Sequence, residues 1–261
     1  MKIHIFGSSA GTEPQPGRHH TAWALECSNG NIYWFDAGES CSHYAHLKGL
    51  DLLKIKAISI SHPHIDHIGG LPNLFFVLQK IAFYYNRLSP DGKYKIAMLL
   101  PDLTIYDRAL AMAGDTRLAL SEAFEFDLRR DKDGLMFDDG TVTIEAKHNY
   151  HLGEPEDGNF KSFSYRIKAE NKSIVFSGDV RSYRDMGDFL DGCDLLLMET
   201  GHHKSSEVCA GLRADKRDVK DILFVHSGRE LLNDYDNALA RAEAAWGAKL
   251  RVAFDGMTVE L

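Results

Sequence analysis

His62-Pro63-His64-Ile65-Asp66-His67 is an H-x-H-x-D-H cluster. Neutral imidazole and carboxylate are good ligands for zinc and similar divalent ions. Two histidines one residue apart in extended backbone project to the same side and can grip one ion. Asp66 and His67 follow as the chain enters a helix, which turns them toward a second ion. Gly69-Gly70 then permits close backbone approach. Random placement of these residue types gives about 0.003 expected matches to the pattern in a chain this long. Divalent ions lower the pKa of bound water toward neutrality, so the cluster points to hydrolysis without a catalytic serine.

Such a cluster needs elements that hold it still. Short β-like runs fill the first third, at Lys2 to Phe6, Thr21 to Cys27, Ile32 to Asp36 and Lys56 to Ile60, the last stopping just before the cluster. Gly-, Pro- and polar-rich turns separate them. Apolar residues at helical spacing (Leu74, Phe75, Leu78, Ile81, Ala82, Tyr85) predict a helix between Leu71 and Leu88. A strand follows near Tyr94 to Leu100, and Pro101-Asp102 opens another helix-like stretch. The second half repeats this style. Strands are expected around Val142 to Ala146, Phe163 to Ile167, Ser173 to Phe176, Asp194 to Met198 and Ile222 to Val225. Helices are expected over Tyr183 to Leu190 and over Glu230 to Trp246, the second ending at Gly247. Strands with helices between them predict two sheets packed together and covered outside. Residues 115–140 are charged and poorly periodic, and are expected as a surface excursion from a single domain spanning 1–261.

Composition sets the outer bounds. The 261 residues carry 44% hydrophobic and 26% charged side chains, ordinary for a globular protein with a substantial core. A net charge of −8 argues against a large nucleic-acid footprint, because phosphate binding rests on Lys and Arg. Four scattered cysteines without a CxxC pair read as free thiols. The longest apolar runs are too short to span a bilayer, and no charged n-region with an apolar h-region opens the sequence, so a cytoplasmic location is expected.

The cluster is the signature of the metallo-β-lactamase superfamily, which the chain resembles over nearly its whole length. Gly7-Ser8-Ser9-Ala10-Gly11-Thr12, Pro16-Gly17-Arg18 and Phe35-Asp36-Ala37-Gly38-Glu39 are similar to the opening of its ribonuclease Z-like and phosphodiesterase branches. The resemblance implies a four-layer αβ/βα sandwich of two mixed sheets with a dinuclear site at one edge. It also implies further ligands. Asp179, in Ser177-Gly178-Asp179 after Ile174-Val175-Phe176, is similar to the bridging aspartate, and His226 to the last histidine. The third histidine is His148 or His151, with His151 favoured. Glu199 and His202 or His203, after a buried strand, resemble a Glu–His relay near the leaving group. His19 and His20 beside Arg18 border the pocket or lie on a plain surface loop.

These correspondences imply that His62, His64 and His151 hold one ion, and Asp66, His67 and His226 a second, with Asp179 bridging. The ions are expected as two Zn2+, with Mn2+ or Fe2+ as alternatives. A metal-bridging hydroxide oriented by Asp66 would attack, and His202, paired with Glu199, would donate to the leaving group. The fold hosts many substrates. A small or cyclic-nucleotide-like phosphodiester is the first expectation, and a carboxylic ester, lactone or thioester the second. Structured RNA ranks lower: Ile65 replaces the usual glycine of H-x-H-G-D-H, the charge is acidic, and no Gly-rich basic arm is evident. A di-iron redox protein and a non-catalytic metal-binding protein are the remaining alternatives. No membrane partner is expected, and a homodimer is compatible with the sequence.

Overall fold

A computed structural model describes residues 1–90, 92–114 and 116–261, without the side chains of 116–119. The chain forms two compact units, one of Met1–Gly7, His19–Asp131 and Asp255–Leu261, the other of Ser8–Arg18 and Lys132–Phe254. Each is built on one seven-stranded mixed sheet.

In the first unit the strands are β1 (Lys2–Gly7), β2 (Ala22–Glu26), β3 (Ile32–Phe35), β4 (Ile55–Ser59), β5 (Tyr94–Leu100) and β6 (Phe124–Arg130), with a final strand, Thr258–Glu260, on the outer side of β1. Pairing is antiparallel from the final strand to β3 and parallel from β3 to β6. The helices are α1 (Cys41–Leu47), α2 (Ile65–Ile68), α3 (Leu71–Tyr84), α4 (Thr104–Met112) and α5 (Thr116–Ala123). Pro72 stands in the first turn of α3, where its missing N–H costs nothing. The helix buries Leu71, Leu74, Phe75, Leu78, Ile81 and Ala82, the spacing of a single face. That face joins Trp34, Ile58 and Met98 of the sheet in one apolar core.

The second unit runs β7 (Gly134–Asp138), β8 (Val142–His148), β9 (Phe163–Ala169), β10 (Lys172–Phe176), β11 (Leu195–Thr200), β12 (Ile222–Ser227) and β13 (Arg251–Val252). It is antiparallel from β7 to β10 and parallel from β10 to β13. Its helices are α6 (Ser205–Ala214), α7 (Arg229–Asn233) and α8 (Tyr235–Trp246). β11 and β12 are buried along their whole length, as expected of central parallel strands.

Three expectations change. The region 115–140, expected as an excursion, instead contains α5 and the edge strands β6 and β7; residue 115 lies outside the described residues. Edge strands have partly exposed faces, so their polar character hid them. The Glu230 to Trp246 helix is two helices, broken at Asp234, whose backbone is non-helical (φ −144°, ψ 50°). Tyr183–Leu190 is a 3-10 segment rather than a regular helix, kinked at Gly187 (φ 53°). The four cysteines are free and buried, as expected. Among the described residues no helix is long and apolar enough to cross a membrane.

Candidate functional site

In the first unit the donors come from one turn. β4 ends at Ser59, and α2 begins at Ile65, so His62 and His64 occupy the connection while Asp66 and His67 sit on the short helix. His62, Asp66 and His67 are buried, and His64 is exposed. His62 Nε2 and His64 Nδ1 lie 3.0 Å apart, and His67 Nε2 is 3.4 Å from Asp66 Oδ2. Two ligand atoms at bonding distance from a tetrahedral zinc stand roughly 3.3 Å apart, so both separations suit shared coordination.

Behind this turn sits Asp36, fully buried at the end of β3. It accepts hydrogen bonds from Ser61 N–H (2.7 Å) and Ser61 Oγ–H (2.8 Å), and its Oδ2 is 2.7 Å from His67 Nδ1. A carboxylate facing Nδ1 holds the proton there and leaves the lone pair on Nε2, the tautomer a metal ligand requires. Sequence reasoning used Asp36 only as part of a family-like turn and missed this role. The signal was a carboxylate ending an otherwise apolar strand.

The second unit gathers its donors from strand ends. Asp179 follows β10, Glu199 lies in β11, His202 just beyond it, and His226 in β12. Asp179, Glu199, His202 and His226 each offer a ligand atom, all within 4.8 Å of one another. His226 Nδ1 is 3.4 Å from Asp179 Oδ1, and His151 Nε2 is 3.7 Å from Asp179 Oδ2. This donor set, two to three imidazoles around buried carboxylates, fits a divalent ion. The backbone of His226 explains its direction. Register shifts between the β11 and β12 partners Glu199/Val225 and Thr200/Ser227, so His226 is the bulged residue, with φ 49°. Of the non-glycine residues with positive φ among those described, only Asp36 (φ 52°) and His226 are buried. Such strain costs about 1–3 kcal/mol and clusters where a side chain must be aimed.

His148 is positioned differently from His151. It points to Asp133, which it meets through its backbone N–H (2.8 Å) and Nδ1 (2.8 Å), and is absent from the donor groups. His151 is fixed through its own N–H to Asn149 Oδ1 (3.1 Å). Glu199 accepts from the backbone N–H of His202 (2.9 Å) and lies 3.1 Å from its Nδ1. Burial alone would raise the Glu199 carboxyl pKa, but the hydrogen bond from His202 and the neighbouring His226 imidazole pull it down to about 2. The Glu199 hydrogen bond in turn raises the His202 pKa. His203 turns its Nε2 to the Val180 carbonyl (2.9 Å) and also lies 3.3 Å from Glu199 Oε1. In the first unit, His19 meets Asp255 (2.8 Å) and His20 pairs with Glu39.

Comparison with known proteins gives this arrangement a lineage. A ribonuclease Z from Listeria monocytogenes serotype 4b is 30% identical over 185 residues, 69% of this chain and 53% of that protein, so the chain spans about half the length of this curated relative. Two solved structures share the fold over nearly the whole of both chains. The metallo-beta-lactamase fold protein YhfI from Bacillus subtilis has a TM-score of 0.73 and 20% identity, covering 99% of each chain. Human tRNase Z, short form, has a TM-score of 0.70 and 18% identity, covering 100% of this chain and 99% of that one. The family model described as Metallo-beta-lactamase superfamily matches residues 16–226, a span that contains every donor described above, and the chain belongs to that superfamily.

Proposed function

We propose that the protein is a metal-dependent phosphodiester hydrolase. His62, His64 and His151 would hold one divalent ion, Asp66, His67 and His226 a second, with Asp179 between them, and zinc suits this nitrogen and oxygen set best. The matched region runs through both units, which supports treating 1–261 as one superfamily domain. The observation that carries the reading is the grip of buried Asp36 on His67 Nδ1, an outer-shell contact that prepares Nε2 for metal.

When bound, divalent ions supply an activated water at neutral pH and polarise the scissile oxygen. The chain's own groups do the rest. Asp66 would orient the attacking oxygen through its carboxylate. Glu199 fixes the ring of His202 and favours its charged form, so that Nε2 carries a proton for the leaving alkoxide. His203 serves that purpose less well, because its Nε2 is already engaged by the Val180 carbonyl and Glu199. Free, buried thiols suit a reducing, cytoplasmic compartment.

The substrate we favour is a small or cyclic-nucleotide-like phosphodiester. Structured RNA is the second reading, favoured by the ribonuclease Z relative. A panel of bis-p-nitrophenyl phosphate, cyclic nucleotides, structured RNA, a thioester and a lactone separates them. Phosphodiester turnover with rapid cleavage of the small esters is expected. Exclusive thioester or lactone turnover would remove the proposal. Asp66→Ala should lower kcat by at least about a thousandfold, on the scale of losing a central catalytic group, while the fold persists. Normal turnover by that variant would defeat the role given to Asp66.

A further inference from the structure

Two residues beyond Asp179 stands Arg181, exposed, with its guanidinium 4.7 Å from the centre of the Tyr150 ring. Arg166, Arg184, Arg217, Arg229, Arg241 and Arg251 of this unit each face a carboxylate, while Arg18 bonds Ser8 Oγ and the Ala253 carbonyl and Arg213 lies over Trp246, away from the strand ends that carry Asp179. Arg181 has no ion pair among the described residues. In a chain of net charge −8, a guanidinium supported by an aromatic ring instead of an acid keeps its N–H edges available.

The ring beneath it is itself well held. Tyr150 packs edge-on against His148 (5.4 Å) and Phe160 (5.7 Å), and its backbone N–H meets Asp185 Oδ2 (3.4 Å). His148 stacks on Phe160 at 3.8 Å and is pinned by Asp133. Next to Tyr150, buried Asn149 donates to Ser164 Oγ (3.2 Å). Tyr150 therefore precedes His151 on a rigid support, and Arg181 follows Asp179. Both lie beyond the carboxyl ends of strands, where α/β sheets bind ligands.

Resting on the phosphodiester reading, we propose that Arg181, braced by Tyr150, is the substrate-binding arm of this site: its N–H edge takes the unesterified phosphate oxygens and its plane stacks on a nucleobase. Guanidinium planes stack on bases, and their fork geometry matches phosphate. The preferred substrate is then a nucleotide ester rather than a base-free phosphodiester. The rigidity of the His148–Phe160–Tyr150 group lowers the ordering cost of binding.

Calorimetric titration of the metal-loaded protein with AMP and with inorganic phosphate tests the arm. Wild type should bind AMP at least about ten times more tightly than phosphate, within the range that base stacking supplies. Arg181→Gln should weaken AMP binding about tenfold or more. Arg181→Lys should retain phosphate binding yet lose the preference for AMP. Tyr150→Phe should keep that preference and Tyr150→Ala lose most of it. Unchanged AMP affinity in Arg181→Gln, or no preference for AMP in wild type, overturns the proposal. Turnover of bis-p-nitrophenyl phosphate, which has no base, is scored in parallel. Wild-type turnover with Arg181-independent AMP binding removes the arm and leaves the hydrolase reading standing. Arg181-dependent AMP binding without any phosphodiester turnover does the reverse.

Discussion

The two units assemble their donors in opposite ways. In the first, four donors lie within six consecutive residues, and the distant residue Asp36 braces the turn from behind. In the second, His151, Asp179, Glu199, His202 and His226 come from the ends of β8, β10, β11 and β12, so their spacing is set by strand register. A local turn can be held by one buried carboxylate. A set gathered from separate strands needs a sheet in register and a bulge to aim its last member. The contrast predicts that damage to the first unit spreads through a single hydrogen-bond hub, whereas the second unit can lose donor geometry while its fold stays intact.

Removing the hub should have the largest effect. Asp36→Ala strips the partner from Ser61 N–H, Ser61 Oγ and His67 Nδ1 inside the core. Breaking a buried, charge-assisted contact of this kind costs about 3–5 kcal/mol. Urea unfolding should register that loss, and metal titration should show affinity reduced about 10–100-fold. A variant that unfolds at the wild-type midpoint would show that the turn does not depend on Asp36.

Gly201→Ala probes the other unit. A Cβ there would stand 2.5 Å from His226 Nδ1 and 2.7 Å from Cε1, so the ring must leave its place. The expected outcome is metal affinity weakened about tenfold with the urea midpoint little changed, because a side chain rather than the core gives way. Equal losses in stability and affinity would erase the distinction between the units.

The smallest effect is expected far from either donor set. Arg166 hydrogen-bonds Glu145 and holds its carboxyl below the usual carboxylate range, despite partial burial, with Lys168 assisting. A depressed folded-state pKa gives stability above the unfolded pKa that is lost as pH falls through the folded one. Glu145→Gln should therefore cost up to about 1 kcal/mol at pH 7 and progressively less toward pH 3. Metal affinity should not move. A pH-independent cost would mean that packing, not charge, holds this pair.

The same contrast explains what the sequence made legible. His62, His64, Asp66 and His67 were visible because six contiguous residues carry a pattern that chance rarely produces. Asp179 and His226 were visible only through resemblance, since a polar residue after an apolar strand is common. The contact of Asp36 with His67 was hidden because a carboxylate that braces a histidine from another strand has no spacing signature relative to it. The bulge at His226 was hidden for a related reason, as register is a property of two strands and not of one. Helices α1 and α6 escaped notice, and β6 and β7 were masked by the polar faces that sheet edges require.

Metal stoichiometry joined to activity tests the central claim most directly. Purified protein should contain about two divalent ions per chain, the number the paired donor sets allow. Exhaustive chelation should abolish hydrolysis of bis-p-nitrophenyl phosphate, and added zinc should restore it. Protein that contains no stoichiometric metal, or that hydrolyses the ester at an undiminished rate after chelation, would contradict the account.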